Sequence, residues 1–315
     1  MEKVETIILA ALLSILPSFA QRTEPVPFGD FEQWTRRHIK ESGIIGGNIQ
    51  TVYVIGPEET IEGNLPYDYS RTIWASSNAV ARVAGITKTS VTVEPVQGAD
   101  GLCARLSTRY ANCRVAGIIN ISVLATGAIY WGRMLEPVTS VKDPFSFMDW
   151  GIPFTKRPSA LLMDCQAELP NTGTLVRGTT FSHKEFPGED PCQIVLLLQR
   201  RWEEADGSVH AQRVGTAGCR IEQSTDGWHK DFRIPVIYGD ARKSASFRSY
   251  MDLSQTFYAV NSRGECMPIQ EDGWADANAP VTHAILMISA GSCEAFVGAL
   301  GNTLYVDNIR LEYDN

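Results

Sequence analysis

Short runs of β-branched and aromatic residues recur along this chain, and each is cut off by glycine, proline or a cluster of small polar residues. The run at 48–55, NIQTVYVI, stops at Gly56-Pro57, and comparable runs occupy 90–95, 117–124, 160–165, 193–199, 232–238, 284–289 and 304–313. Such runs favour a pleated, half-buried surface, and the turn residues between them end each strand. A 3.6-residue periodicity is confined to 34–41 and 74–83, so the pattern predicts an all-β sandwich with short peripheral helices there. The alternation in GDFEQW at 29–34 predicts a further half-buried strand. With 315 residues, 44% of them hydrophobic, the chain can bury one large core, and no internal repeat or Ser/Gly/Pro-rich linker divides it. One domain over 28–315 follows, with an extended linker at 21–27. The stretch 251–280, broken by Gly264, Pro268, Gly273 and Pro280, is the expected loop insertion.

Residues 7–16 form an apolar run too short to cross a bilayer as a helix. Followed by Pro17-Ser18-Phe19-Ala20, the run reads as a signal peptide over 1–20, cleaved between Ala20 and Gln21. The expectation is an exported protein, periplasmic or at the cell surface, with no transmembrane span after cleavage. The 28 Lys and Arg against 36 Asp and Glu leave a net charge of -8, which provides no basic field for a phosphate backbone and argues against nucleic acid or anionic membrane as partner. The seven cysteines show no CxxC spacing, and their odd number leaves at least one unpaired. Buried thiols are the expectation, with Cys103 and Cys113 across adjacent strands the one pairing the spacing suggests.

Signatures of catalysis and cofactor binding are missing: there is no HExxH, GxxxxGK, GxGxxG or GxSxG. His38, His183, His210, His229 and His283 are scattered without metal-ligand spacing. The Asn120-Ile121-Ser122 sequon lies in an apolar run and reads as a chance match.

The two ends of the domain carry more information. Gly-Asp-Phe-Glu-x-Trp at 29–34 and LYVDNIRLE at 304–312 resemble the first and last strands of jelly-roll carbohydrate-binding modules. In those modules the terminal strands run side by side and often share a structural Ca²⁺. The resemblance makes Asp30, Glu32 and Asp307 candidate ligands, since a hard divalent ion needs several converging oxygens. Further motifs, WASSN at 74–78, GITKTSV at 85–91, GIINISVLATG at 117–127, GIPFTKRP at 151–158 and GWHKDFRIPV at 227–236, together resemble the putative carbohydrate metabolism domain family over most of 28–313. Where that family's pattern has a Gly-Asp-x-Phe turn before the final strand, this chain reads Cys293-Glu294-Ala295-Phe296. The resemblance implies a β-sandwich jelly roll with a sugar pocket on one face. The leading expectation is a non-catalytic, exported carbohydrate-binding protein that works beside polysaccharide-degrading machinery and takes an oligo- or polysaccharide as partner.

A sugar site needs an exposed aromatic ring for the C–H face of a pyranose and planar or charged side chains for its hydroxyls. Trp74 with Asn78, and Trp150 with Lys156 and Arg157, are the preferred clusters, and Trp131 with Arg133 is the third. Adjacent residues of a strand point to opposite faces, so only one of Lys156 and Arg157 can enter a shared pocket. The loop Glu271-Asp272-Gly273-Trp274-Ala275-Asp276 places carboxylates near an aromatic and reads most simply as an exposed Asp-Gly turn, otherwise as an ion site or lid. A glycoside hydrolase or lyase would draw on Asp149, Asp164 and Glu168. As strand residues four apart, Asp164 and Glu168 would stand about 13 Å from one another, beyond the roughly 5–9.5 Å of glycosidase pairs. A surface adhesin or assembly component that binds protein through an aromatic patch is the third reading.

Overall fold

The structure, a computed structural model, describes residues 22–314 apart from 84, 116–118, 141, 180–181 and 255. The anticipated signal peptide lies outside the described residues, as does the side chain of Asn120. Two sheets face each other. One runs in the order His229–Pro235, Ala160–Glu168, Thr303–Tyr313, Leu102–Ser107, Val93–Gln97, and Arg22–Pro25 lies against Thr303–Tyr313. The other runs Met148–Trp150, Ala128–Met134, His283–Ser289, Cys192–Glu203, Val209–Ile221, Cys266–Trp274, Tyr258–Val260. Nearly all pairings are antiparallel, but Cys266–Trp274 runs parallel to Val209–Ile221.

Alternation along the strands builds the sandwich. Leu161, Met163 and Cys165 from the first sheet meet Ile194, Leu196, Leu198, Leu286 and Ile288 from the second in one buried cluster, which also holds Leu304, Val306, Ile309 and Leu311. The intervening residues of the second sheet are buried as well. Val195, Leu197 and Ile285 pack outward into a second cluster with Tyr130, Trp150, Phe257 and Ile269. The Cys192–Glu203 strand therefore has apolar surface on both faces, which explains its unbroken run Ile194-Val195-Leu196-Leu197-Leu198.

The terminal strands run side by side: Arg22 to Pro25 pairs antiparallel with Arg310 to Tyr313, and the Ile309 N–H donates to the Gly29 carbonyl. Residues 29–33 are not a strand, because Phe28 and Phe31 both take left-handed φ of 56° and 49° and turn the chain so that the Phe31 ring is buried. The 34–41 helix is likewise corrected to a strand, Trp34–Lys40, whose alternating burial comes from burying Arg37 opposite Glu136. At 74–83 the chain forms two strands, Trp74–Ser76 and Ala79–Val83, and among the described residues the helices are short 3₁₀ turns. The stretch 251–280 is not a loop insertion, since Cys266–Trp274 joins the second sheet. Cys103 is a free thiol, and its strand Leu102–Ser107 pairs in a different sheet from Arg109–Val115, which carries Cys113.

Candidate functional site

A bulge in the parallel pairing borders a concavity on the second sheet. Ala211 pairs with Glu271 and Gln212 with Gly273, leaving Asp272 as the extra residue, and Gly273 accommodates the bend at φ 155°. Just before the bulge Glu271 is buried, and beyond it Trp274 lies at the edge of a cleft of about 910 Å³. The opposite wall is the segment 237–244, held to the sheet by pairing of Gly215 with Tyr238. Tyr238 and Trp274, both half-buried, thus share one concavity with Asp240, Arg242, Lys243 and Asp276.

Behind Trp274, outside the lining of the cleft, lies a buried polar cluster. Arg213 and Glu271 form a fully buried two-pronged ion pair, in which Arg213 Nε donates to Glu271 Oε1 at 2.7 Å. Gln199 Nε2 donates to the same oxygen at 2.8 Å, and the Ser254 N–H donates to Oε2 at 2.8 Å. The Arg213 guanidinium lies 5.6 Å from the Trp274 ring centroid and that of Arg242 lies 5.8 Å away. Arg213 is buried, whereas Arg242 is exposed and paired with Asp240. On the far side the Arg157 guanidinium stacks 4.2 Å from the Tyr238 centroid and donates to the carbonyls of Ala277 and Ala279, fastening the two walls together.

The carboxylates of the cleft are committed locally. Asp240 accepts from Arg242 Nε at 2.8 Å and from Nη2 at 2.9 Å. This ion pair holds its carboxyl below the usual value. Asp276 Oδ1 accepts the Asn278 N–H at 2.8 Å. With these commitments the cleft can present donors, acceptors and ring faces to a hydroxylated ligand.

The sequence expectations for the site are largely redirected. Trp74 is completely buried, donates its Nε1 hydrogen to the Pro27 carbonyl and packs edge-on to Trp131. Trp150 lies in the second cluster, 4.2 Å from Tyr130 and 5.0 Å from Phe257 by ring centroids. None of these three tryptophans is a stacking platform, because a core with two buried faces consumes large rings on both. Asn78 is buried too, and the four hydrogen bonds of its side chain are all with backbone, at Tyr53, Val93 twice and Thr92. Lys156 and Arg157 lie in an irregular segment and diverge: Lys156 pairs with Glu24 beside Tyr313, whereas Arg157 buttresses the cleft. Arg133 pairs with Asp149 at 2.7 Å, and Asp164 accepts from the Asp231 N–H in the other sheet at 2.8 Å. Glu168, at the exposed end of the Asp164 strand, accepts from Tyr305. The three catalytic candidates therefore do not assemble. The tryptophan that does reach the cleft, Trp274, is signalled in the sequence only by its position in the acidic Gly-containing segment, which the structure makes a bulged strand.

Among the three anticipated metal ligands, the Glu32 charge acts on Asp307, whereas Asp30 is exposed and is not among the charges that do. Burial, with Asp164 and Glu32 nearby, pushes the Asp307 carboxyl up to about 6. Glu32 Oε1 also accepts the Leu102 N–H at 2.9 Å. Among the described residues, no three or more His, Cys, Asp or Glu side chains are arranged to hold a metal ion. The expected three-carboxylate set is thus reduced to two.

No curated protein sequence matches the chain. Three solved structures are similar to it. Two are described as putative glycoside hydrolases. The one from Bacteroides thetaiotaomicron is 17% identical, with 89% of this chain and 71% of that one covered and a TM-score of 0.47. The one from Bacteroides vulgatus is 12% identical, with 93% and 95% covered and a TM-score of 0.41. The third, a family 11 carbohydrate-binding module from Clostridium thermocellum in complex with a β-1,3-1,4-mixed-linked tetrasaccharide, is 13% identical, with 78% and 92% covered and a TM-score of 0.30. The family comparison reaches almost the whole sandwich, from the turn after the first strand to the end of the last. Its model matches residues 30–312, and the chain belongs to the family of the putative carbohydrate metabolism domain.

Proposed function

We propose that this protein is an exported, non-catalytic carbohydrate-binding protein that takes a section of an oligo- or polysaccharide in the cleft between Tyr238 and Trp274. The observation that carries the reading is the composition of that cleft: two half-buried rings, two basic and two acidic side chains around about 910 Å³. Rings receive pyranose C–H faces, and charged planar groups take paired hydroxyls. The family's carbohydrate assignment agrees with this chemistry. Binding is preferred to hydrolysis because Asp240 and Asp276 are both tied into local turns. A Ca²⁺ belongs to the reading with a narrowed ligand set, Glu32 and Asp307, with backbone carbonyls completing the shell of a hard cation.

A glycan array probed with residues 21–315 and with Trp274→Ala, followed by product analysis on each positive glycan, tests the reading. The expected result is binding without product, weakened at least tenfold in the folded Trp274→Ala protein. Sugar release would replace the reading with a glycoside hydrolase. Silence across the array would replace it with a protein-binding role.

A further inference from the structure

A second, smaller pocket of about 280 Å³ opens on the same sheet, lined by Asp149, Arg201, Trp202, Glu203 and His283 among others. Its volume lies near the lower end of the roughly 300–1,000 Å³ range of small-molecule sites, suited to one sugar residue rather than a chain. The informative residue is Arg201. Its guanidinium donates from Nη2 to Gln199 Oε1 at 2.8 Å, from Nε to the same oxygen at 3.3 Å, and from Nη1 to the Trp150 carbonyl at 3.1 Å. All of these acceptors are neutral, and among the described residues no carboxylate lies within 4.0 Å of it. The two acids whose charge it feels are occupied. Asp149 is held by Arg133 and the Val260 N–H, and Glu271 by Arg213, Gln199 and the Ser254 N–H. Burial lowers the Arg201 pKa to about 10, so the site leaves a cation short of counter-charge.

The surroundings fit a ligand with an anionic end and a ring. Gly151, at φ 90°, lets Arg201 Nη2 approach to a place where a Cβ would stand only 2.8 Å away. A guanidinium carries five N–H bonds, so the three bonds described leave two for a ligand in the fork geometry that matches a carboxylate. His283 is kept neutral by burial and by Arg201, down to about 4, so it serves as a hydrogen-bonding group rather than a second charge. The half-buried Trp202 ring is braced by His210 stacked 5.6 Å away and stands beside the pocket as a surface for a sugar ring. Glu203 at the rim is turned aside, accepting from the N–H and hydroxyl of Ser262 at 2.8 and 2.6 Å.

We infer that this pocket binds the carboxylate of a uronic acid residue, with Arg201 gripping the carboxylate and Trp202 covering the sugar ring. The inference deepens the carbohydrate-binding reading and rests on it: it makes the protein selective for acidic glycans. The Arg201–Gln199–Glu271–Arg213 hydrogen-bond chain runs from Arg201 of the smaller pocket to the buried ion pair that lies against Trp274 of the larger cleft, so one oligosaccharide-binding face would carry both.

Isothermal titration of the intact protein with oligogalacturonate, oligomannuronate and their neutral galactose and mannose counterparts tests the assignment, with acetate and inorganic sulfate as anion controls. At least one acidic oligomer should bind tenfold or more tighter than its neutral counterpart. Arg201→Lys, which keeps the charge and removes the fork, should erase that preference. Trp202→Ala, at a partly exposed position, should weaken the acidic oligomer in a folded protein even if Arg201→Lys fails to fold. Equal binding of acidic and neutral oligomers would overturn the uronate assignment while leaving carbohydrate binding in place. Displacement by millimolar sulfate as effective as by the uronate would overturn it in favour of a generic anion site. Absence of binding to every sugar tested here, together with a silent glycan array, would overturn both readings.

Discussion

At the residue scale, environment decides what each aromatic and each ionisable group does. Trp74 and Trp150 have the same chemistry as Trp274, but the first two are sealed in clusters and only the third borders open space. Trp74→Ala and Trp150→Ala should therefore each cost about 3–5 kcal/mol of stability through cavity formation, measured by urea unfolding. A variant of either that still folds should keep its glycan affinity, and selective loss of binding at unchanged stability would contradict this placement. His283 gives a pH signature. Burial and the Arg201 cation hold it neutral down to about 4, whereas in the unfolded chain it titrates near its ordinary value of 6.5. The unfolded state thus binds the proton first, so this contribution to stability is complete above about pH 6.5 and is lost as the pH falls toward 4. The expected loss is on the order of 1–3 kcal/mol. Urea melts at pH 7 and pH 5 should show His283→Asn losing less stability on acidification than the parent protein, and an identical loss would refute the assignment.

At the element scale, the strands were legible because side-chain alternation survives any detail of tertiary packing. The runs at 193–199 and 284–289 correspond closely to Cys192–Glu203 and His283–Ser289. What was not legible depended on distant partners. A helical pattern over 34–41 gave way to a strand because Arg37 is buried against Glu136, 99 residues away, with both guanidinium arms donating at 2.8 Å. Removing one partner leaves an uncompensated buried charge, so Arg37→Met should destabilise by about 3–5 kcal/mol, and a melting temperature unchanged from the parent would contradict that role. The site was half legible: the acidic segment around Trp274 stood out by composition, but its parallel pairing and the bulge at Asp272 could not be read from local sequence. A similar long-range tie fixes the segment that departs from the family pattern. Asp190 accepts from the N–H groups of Ser292, Cys293 and Ala299 at 2.6, 3.1 and 3.1 Å, so Asp190→Ala should open 290–300 to hydrogen exchange ahead of the core. At the paired terminal strands, chelation should lower the melting temperature and added calcium restore it, with Asp307→Asn insensitive to both. No response to either would remove calcium from the account.

At the scale of the whole molecule, the second sheet is both the partition between two cores and the platform for the two pockets. Its inner face completes the sandwich, its outer face is largely covered by 134–148 and 251–270, and the uncovered remainder is where ligand-sized space survives. That division of labour explains why the Trp74 ring of the 74–78 motif is consumed in the core, whereas the proposed binding cleft borders 237–244 and 273–277, which carry no recognisable motif. The most direct measurement is hydrogen–deuterium exchange of the protein with and without an array-positive oligosaccharide. The account predicts ligand-dependent protection concentrated at 237–244 and 273–277, with additional protection at 201–203 and 283 when the sugar is a uronate. Protection confined to the outer surface of the first sheet, or no change at 237–244 and 273–277 despite saturating sugar, would contradict it.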